Sequence, residues 1–430
     1  MGYKRRRKPN AKRIRHLVER TFALCADGLM WRSGMQQITR TIWLVSLVSL
    51  FTDIASEMLY PVMPIYLQTI GFSIVYIGLL EGIAEATAGL SKGFFGRWSD
   101  ATGKRVPFVR AGYLLSALAK PLIVAAAQPL WVFFCRTADR LGKGVRTGAR
   151  DALLSAETDP AHKGKVFGFH RGMDTLGAAI GPALALLWLW QNPGRYHELF
   201  LFAFLPGLMA IALTYLLKEK ASQAKVARQF RWWDFLRYYT SASVAYRHTV
   251  KGLLLFTLFN SSDVFLLLVL KLRGFTDQQV IGVYIFYNLV YAVFSYPMGR
   301  LGDTIGLKKT FLAGLLVFIL VYTGITFARD FYVLLTLFFA YGIYAAMTEG
   351  ISKAWITNLC NKEDTATAVG TYTAFASLAT MLASFAAGLI WKFVSPEATF
   401  LVAAAGAGIA GVYLVLTPPP APPLLGEGRP

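Results

Sequence analysis

The chain has 430 residues, 55% hydrophobic and 16% charged, and its mean hydropathy of +0.46 lies outside the range of a soluble globular domain. A net charge of +20 would suit a nucleic-acid binder. The surplus, however, sits before Arg40 and between Lys218 and Lys251, the pattern of a membrane protein's positive side, and no nucleic-acid partner is expected.

In chain order, residues 1–37 form a basic tail with no apolar core of signal-peptide type. A tail touching anionic lipid, a solvated arm, and translation from Met30 or Met35 remain open readings. Spanning needs about 20 apolar residues, which predicts spans near 40–68, 73–95, 107–127, 129–157, 163–190 and 197–217. A linker follows at 218–248, then spans near 249–272, 277–298, 309–328, 331–357, 365–394 and 398–417, and a proline-rich end at 418–430. The expected fold is all-α and integral to the membrane: twelve transmembrane helices in two pseudo-symmetric six-helix bundles, 38–217 and 249–417. Basic loops stay inside, so both termini, the linker and the segments 96–106, 158–164, 299–309 and 358–364 are expected on the cytoplasmic side of a bacterial inner (plasma) membrane.

The run GRWSDATGKR, Gly96 to Arg105, returns as GRLGDTIGLK, Gly299 to Lys308. Gly96/Gly299, Arg97/Arg300, Asp100/Asp303 and Gly103/Gly306 are all 203 residues apart, and Gly71 and Gly274, each opening a Gly-Phe-Ser/Thr tripeptide, keep that register. A fold built twice from one ancestral half is the signature of a secondary transporter. Gly96 and Gly103 are expected to permit a tight turn. Asp100 is expected to pair with Arg97, with Arg105 or with a helix N-terminus of the other bundle, a latch that breaks when that face opens.

Ionisable groups in hydrocarbon cost about 2.5–3.5 kcal/mol each at the bilayer centre and so face a hydrated cavity or a partner. The first span holds Asp53 and Glu57, the second Glu81, Glu85 and Lys92, and the fifth His170, Arg171 and Asp174. The fourth is densest, with Arg136, Asp139, Arg140, Lys143, Arg146, Arg150 and Asp151 within a sector of roughly 140° at 100° per residue. Arg146, Arg150, Asp151 and Lys92 lie toward span ends, where snorkelling to the headgroups is the favoured reading. Arg136 and Arg140 are favoured for the cavity, and ion pairing with arginines is the rival role of the deeper acids. The second half offers Asn260, Asp263, Glu349 and Lys353, and a row of tyrosines (Tyr284, Tyr287, Tyr291, Tyr341, Tyr344) that reads more readily as packing than as a binding box.

Cys25, Cys135 and Cys360 are far apart, no histidine pair has ligand spacing, and Gly142-Lys143-Gly144 lacks the rest of a Walker loop. No cofactor, metal or ATP hydrolysis is expected, and the chain is not read as an enzyme.

Taken together, these motifs resemble those of the major facilitator superfamily over about residues 38–417. The two Gly96- and Gly299-type loops resemble its paired signature. Gly177, Gly181 and Pro182 are similar to its antiporter motif, though Ala185 and Leu186 replace the trailing glycines, and Pro61 and Pro64 resemble a first-span motif of twelve-helix drug:proton antiporters. RTADRLG from Arg136 looks like the fourth-span RxxQGxG, whose arginine the resemblance implicates in proton transfer. Asp139 and Arg140 depart from it, which suggests a distinct branch.

The expected function is alternating-access transport, proton-coupled export of a small organic compound, by a chain working as a monomer in the bilayer. The coupling and cavity candidates are Asp53, Glu57, Glu81, Glu85, Arg136, Asp139, Arg140, Arg171, Asp174, Asn260, Asp263, Glu349 and Lys353. The cytoplasmic gate is assigned to Gly96, Arg97, Asp100, Gly103, Arg105, Gly299, Arg300 and Asp303. Proton-linked uptake of a sugar or organic anion is the rival, with a membrane-embedded enzyme or lipid scramblase behind it. Among the deep and near-deep residues of the first half, seven acids face seven bases, so sequence alone leaves substrate charge open.

Overall fold

The computed structural model describes residues 38–60, 62–72, 74–219 and 234–417, and every regular element among them is helical. The basic tail, residues 220–233 of the linker, the proline-rich end, Pro61 and the side chains of Glu81 and Pro64 lie outside the described residues. The first half comprises α1 (Arg40–Leu59), α2 (Met63–Thr69), α3 (Ile74–Thr102), α4 (Val106–Ile123), α5 (Pro129–Ala156), α6 (Lys163–Gln191) and α7 (Tyr196–Thr214). The second comprises α8 (Asp234–Ser241), α9 (Val244–Thr257), α10 (Val264–Leu272), α11 (Asp277–Ile305), α12 (Leu307–Phe327), α13 (Phe331–Thr357), α14 (Thr365–Phe393) and α15 (Pro396–Leu416).

Among the described residues, nine helices are long and apolar enough to cross a membrane. The charge-bearing α3 and α5, of 29 and 28 residues, and the split pair α9–α10 complete twelve positions. Large apolar side chains such as Leu130, Trp190, Leu320 and Phe385 stay exposed, as a lipid-facing surface requires. Each half keeps its own core: Met58, Tyr66, Val132 and Phe200 in the first, Phe256, Phe318, Tyr322 and Phe338 in the second.

Four boundaries differ from the sequence reading. The first span is two helices, α1 and α2, because the chain turns at Tyr60 beside Pro61. The linker predicted at 218–248 contains α8 and the start of α9, where the Ser243 hydroxyl caps the helix by accepting the Tyr246 N–H and Tyr246 is buried. The seventh span, expected to be continuous, breaks between Thr257 and Val264 at Asn260, Ser261, Ser262 and Asp263. These polar residues favour local side-chain bonding over helix, and the Ser262 N–H goes to the Ser384 hydroxyl. Finally, the run from Gly96 is no loop: α3 continues to Thr102, and only Gly103 (φ 65°) turns, as Gly306 (φ 102°) does in the second copy. Gly96 is placed mid-helix for packing, since a Cβ there would lie 2.4 Å from the Ala366 carbonyl oxygen of α14.

The halves meet along two seams, α3 against α14 and α6 against α11. On the second, an added Cβ at Gly299 would stand 2.2 Å from the Gly164 carbonyl oxygen. Small residues let membrane helices approach this closely. Gly177 and Gly181 serve α6 in the same way against α1, where added Cβ atoms would meet the Leu50 and Ile54 carbonyl oxygens at 2.6 and 2.7 Å. Pro182 is carried inside α6.

Candidate functional site

At the face bearing the repeated motif, each half holds a helix start of the other. The Asp100 carboxylate, near the end of α3, accepts from the Thr367 N–H at 2.6 Å and the Thr367 hydroxyl at 2.8 Å, at the start of α14. The Asp303 carboxylate, near the end of α11, accepts from the Gly164 and Lys165 N–H groups at 2.7 and 2.9 Å, at the start of α6. Carboxylates are stabilised at helix N-termini by the orphan N–H groups and the helix dipole. Of the partners considered for Asp100, the helix start prevails, with Arg105 4.0 Å away. Arg105 spends its own donors on the Ala152 and Lys362 carbonyl oxygens, and Arg97 reaches Asp364 at 3.8 Å. Arg300, partly buried on α11, acts electrostatically on Lys165.

Between the halves lies a cavity of about 860 Å³. Its lining includes Glu85, Lys92, Arg136, Arg140, Asn260, Glu349 and Lys353. Arg140 Nε stands 3.2 Å from Glu85. Lys353 stands 2.9 Å from Asp151 of α5, and Arg171 of α6 stands 2.9 Å from Glu349. These last two pairs cross between halves in opposite senses, from two residues one turn apart on α13.

Asp53, Glu57, Asp139, Asp174 and Asp263 are not part of that lining. Asp139 is buried against Lys120 (3.1 Å) and Arg136 (3.5 Å). Asp174 is held by Arg171 at 3.4 Å and by the Ser49 hydroxyl, which also accepts from Arg150 at 3.1 Å. His170 stands 3.9 Å from Asp174 and shares a hydrogen bond with Ser46. Asp263 accepts from the Tyr287 and Tyr341 hydroxyls at 2.7 and 2.6 Å, and Asn260 donates to the Tyr344 hydroxyl at 3.1 Å. Glu57 receives a hydrogen bond from Tyr284 of the other half at 3.4 Å. Asp53 makes no hydrogen bond or ion pair among the described residues; Asp174, Arg146, Glu57 and Lys143 are the charges acting on it.

Three sequence readings need correction. Arg146, Arg150 and Asp151 do not snorkel: all are buried, Arg146 over the Tyr113 ring at 4.3 Å and Arg150 on Asp151 at 3.0 Å. Lys92 is in the cavity and not at the headgroups. The polar stripe of α5 does not face one interior, because Asp139 and Arg146 turn to α4 while Arg136 and Arg140 face the cavity. The tyrosines combine packing with hydrogen bonding to Asp263, Arg171 and Asn260. The sequence reading missed Lys120, whose position beside Pro121 in an apolar helix was the available signal. It also missed a hydroxyl row on α14, Thr373, Ser377, Thr380 and Ser384, spaced along one helix face and lining the cavity.

Two helical halves related by a sequence repeat, latched at one face around an interior cavity, define a membrane transporter. The chain belongs to the Major Facilitator Superfamily, whose family model matches residues 45–286 and 253–430. An uncharacterized MFS-type transporter of Methanocaldococcus jannaschii is 32% identical over 393 residues, covering 88% of this chain and 95% of that protein. The fold is similar to that of the human organic anion transporter MFSD10 (TM-score 0.75, 16% identity, 87% of this chain and 99% of that one). It is also similar to the Escherichia coli fucose:proton symporter (TM-score 0.71, 11% identity, 87% and 97%). The family is one of multi-pass secondary transporters acting on small molecules, not of enzymes.

Proposed function

We propose that the chain exports a small organic compound in exchange for protons, rocking its two halves around the cavity. The observation that carries the reading is the paired latch: the same carboxylate-to-helix contact is made once in each direction across the halves, both at one face. With that face cytoplasmic, as the basic segments argue, the latched state alternates with an inward-facing one in which both latches are broken. The units are two bundles, 38–217 and 249–417, working as a monomer.

Asp53 is the proton site of this reading. It is a carboxylate without a partner beside Asp174 and Glu57, the kind of group that a proton neutralises when its surroundings lose water. Arg171 joins Asp174 on its own half to Glu349 on the other, which ties the charge state near Asp53 to the closure of the halves. Proton-linked uptake is the second reading, and the same latches serve it.

The test is flux in everted and right-side-out vesicles with an imposed proton gradient, for compounds whose level changes in cells lacking the protein. Proton-driven movement outward, lost in Asp53→Asn, supports export. Movement in the opposite sense replaces it with uptake, and flux indifferent to the gradient removes the coupling.

A further inference from the structure

We infer that the cavity recognises a small organic carboxylate and that Lys92 is its anchoring group; this deepens the transporter reading and rests on it. Three of the bases in the lining stand by carboxylates, Arg136 by Asp139 (3.5 Å), Arg140 by Glu85 (3.2 Å) and Lys353 by Asp151 (2.9 Å), and the acids in the lining are Glu85 and Glu349. Those two acids are already engaged, with Arg140 and Arg171.

Lys92 differs from the other lining bases. Its hydrogen-bond partner is neutral, the Ser377 hydroxyl of α14 at 3.1 Å, and no carboxylate lies within 4.0 Å of it among the described residues. The Lys143 side chain likewise makes no hydrogen bond or ion pair among the described residues, and Lys143, Lys353 and Arg140 act on Lys92 against Glu85. An ammonium in the spanning region with only a neutral partner offers an incoming anion a countercharge. The surroundings fit a carboxylate bearing an apolar body: the Thr380 and Ser384 hydroxyls of α14 line the same cavity, and the rings of Phe256, Phe311 and Tyr372 form an apolar wall. Lys92 also sits on the α3–α14 seam, where a Cβ at Gly370 would stand 2.4 Å from the Lys92 carbonyl oxygen. An anion drawing the ammonium from Ser377 therefore acts on the seam that the Asp100 latch closes.

The experiment measures binding of phenylacetate, lactate and citrate to the purified full chain by calorimetry, beside phenylacetamide, lactamide and phenethylamine, and then counterflow of each in proteoliposomes. At least one carboxylate is expected to bind at least tenfold tighter than its amide or amine counterpart, to lose about tenfold in Lys92→Gln and to recover within about threefold in Lys92→Arg. Equal binding of the amides, failure of every carboxylate, or full affinity in Lys92→Gln overturns the inference. Counterflow of amine or amide without carboxylate removes the anion and leaves transport standing. Carboxylate binding without counterflow strikes the transport reading alone.

Discussion

Asp100 and Asp303 are equivalent in what they hold as well as in where they lie. Residues 203 apart in sequence, they accept backbone N–H groups of Thr367 and Gly164, which are also 203 apart. The ancestral half thus carried one acceptor and one helix start, and the duplicated chain uses each against its counterpart. Symmetric latches of this kind close one face together.

Removing either acceptor should open that face. A charge-assisted hydrogen bond contributes about 1.5–3 kcal/mol, so Asp100→Ala or Asp303→Ala should raise the population of the unlatched state about tenfold or more. The reporter is a cysteine replacing buried Thr371, labelled by an impermeant maleimide in a background lacking native cysteines. In the native chain, burial pushes the Cys360 thiol up to about 11, so its labelling should be slow at neutral pH, climb with pH toward that value, and quicken in both variants.

The ion pairs between halves should be unequal under mutation. Asp151 neutralises both Arg150 and Lys353, so Asp151→Asn leaves two cations in a buried site and should cost about 3–5 kcal/mol. Lys353→Gln leaves Asp151 its arginine and should cost less. The double variant should fall short of the sum, as thermal unfolding in detergent will show.

Gly299→Ala should separate packing from charge. The new methyl would meet backbone of α6 at 2.2 Å, so the α6–α11 seam must part even though Asp303 is untouched. Overpacking costs about 1–3 kcal/mol, and the same Thr371→Cys label should react faster.

Tyr341→Phe should loosen the break in the seventh span. It removes one of two hydroxyl donors to Asp263, and Tyr287→Phe the other; each should lower the midpoint of thermal unfolding, and the pair by less than the sum of both.

The fold was legible because the repeat, the apolar windows and the positions of Asp100 and Asp303 are properties of the chain read in order. Helix ends were legible only where residues announce them, as Gly103 and Gly306 do. The break at Asn260–Asp263 was not, because its backbone is satisfied by Ser384 on a distant helix. The charges could be found in sequence but not sorted, since a helical wheel gives direction and not neighbour. Asp139 and Arg140 are adjacent, yet one meets Lys120 on α4 and the other Glu85 on α3. That sorting leaves Lys92, beside the neutral Ser377 hydroxyl, without the carboxylate partner that Arg136, Arg140 and Lys353 have among the described residues.

The central claim is that the halves alternate around that cavity, and spin-label distances across both faces test it most directly. Labels at Thr102 and Lys362 span the latched face, and labels at Gln191 and Arg329 span the other. With a transported compound and an imposed change of pH, the first distance should lengthen as the second shortens. Distances that stay fixed, or that change in the same direction, would contradict the account.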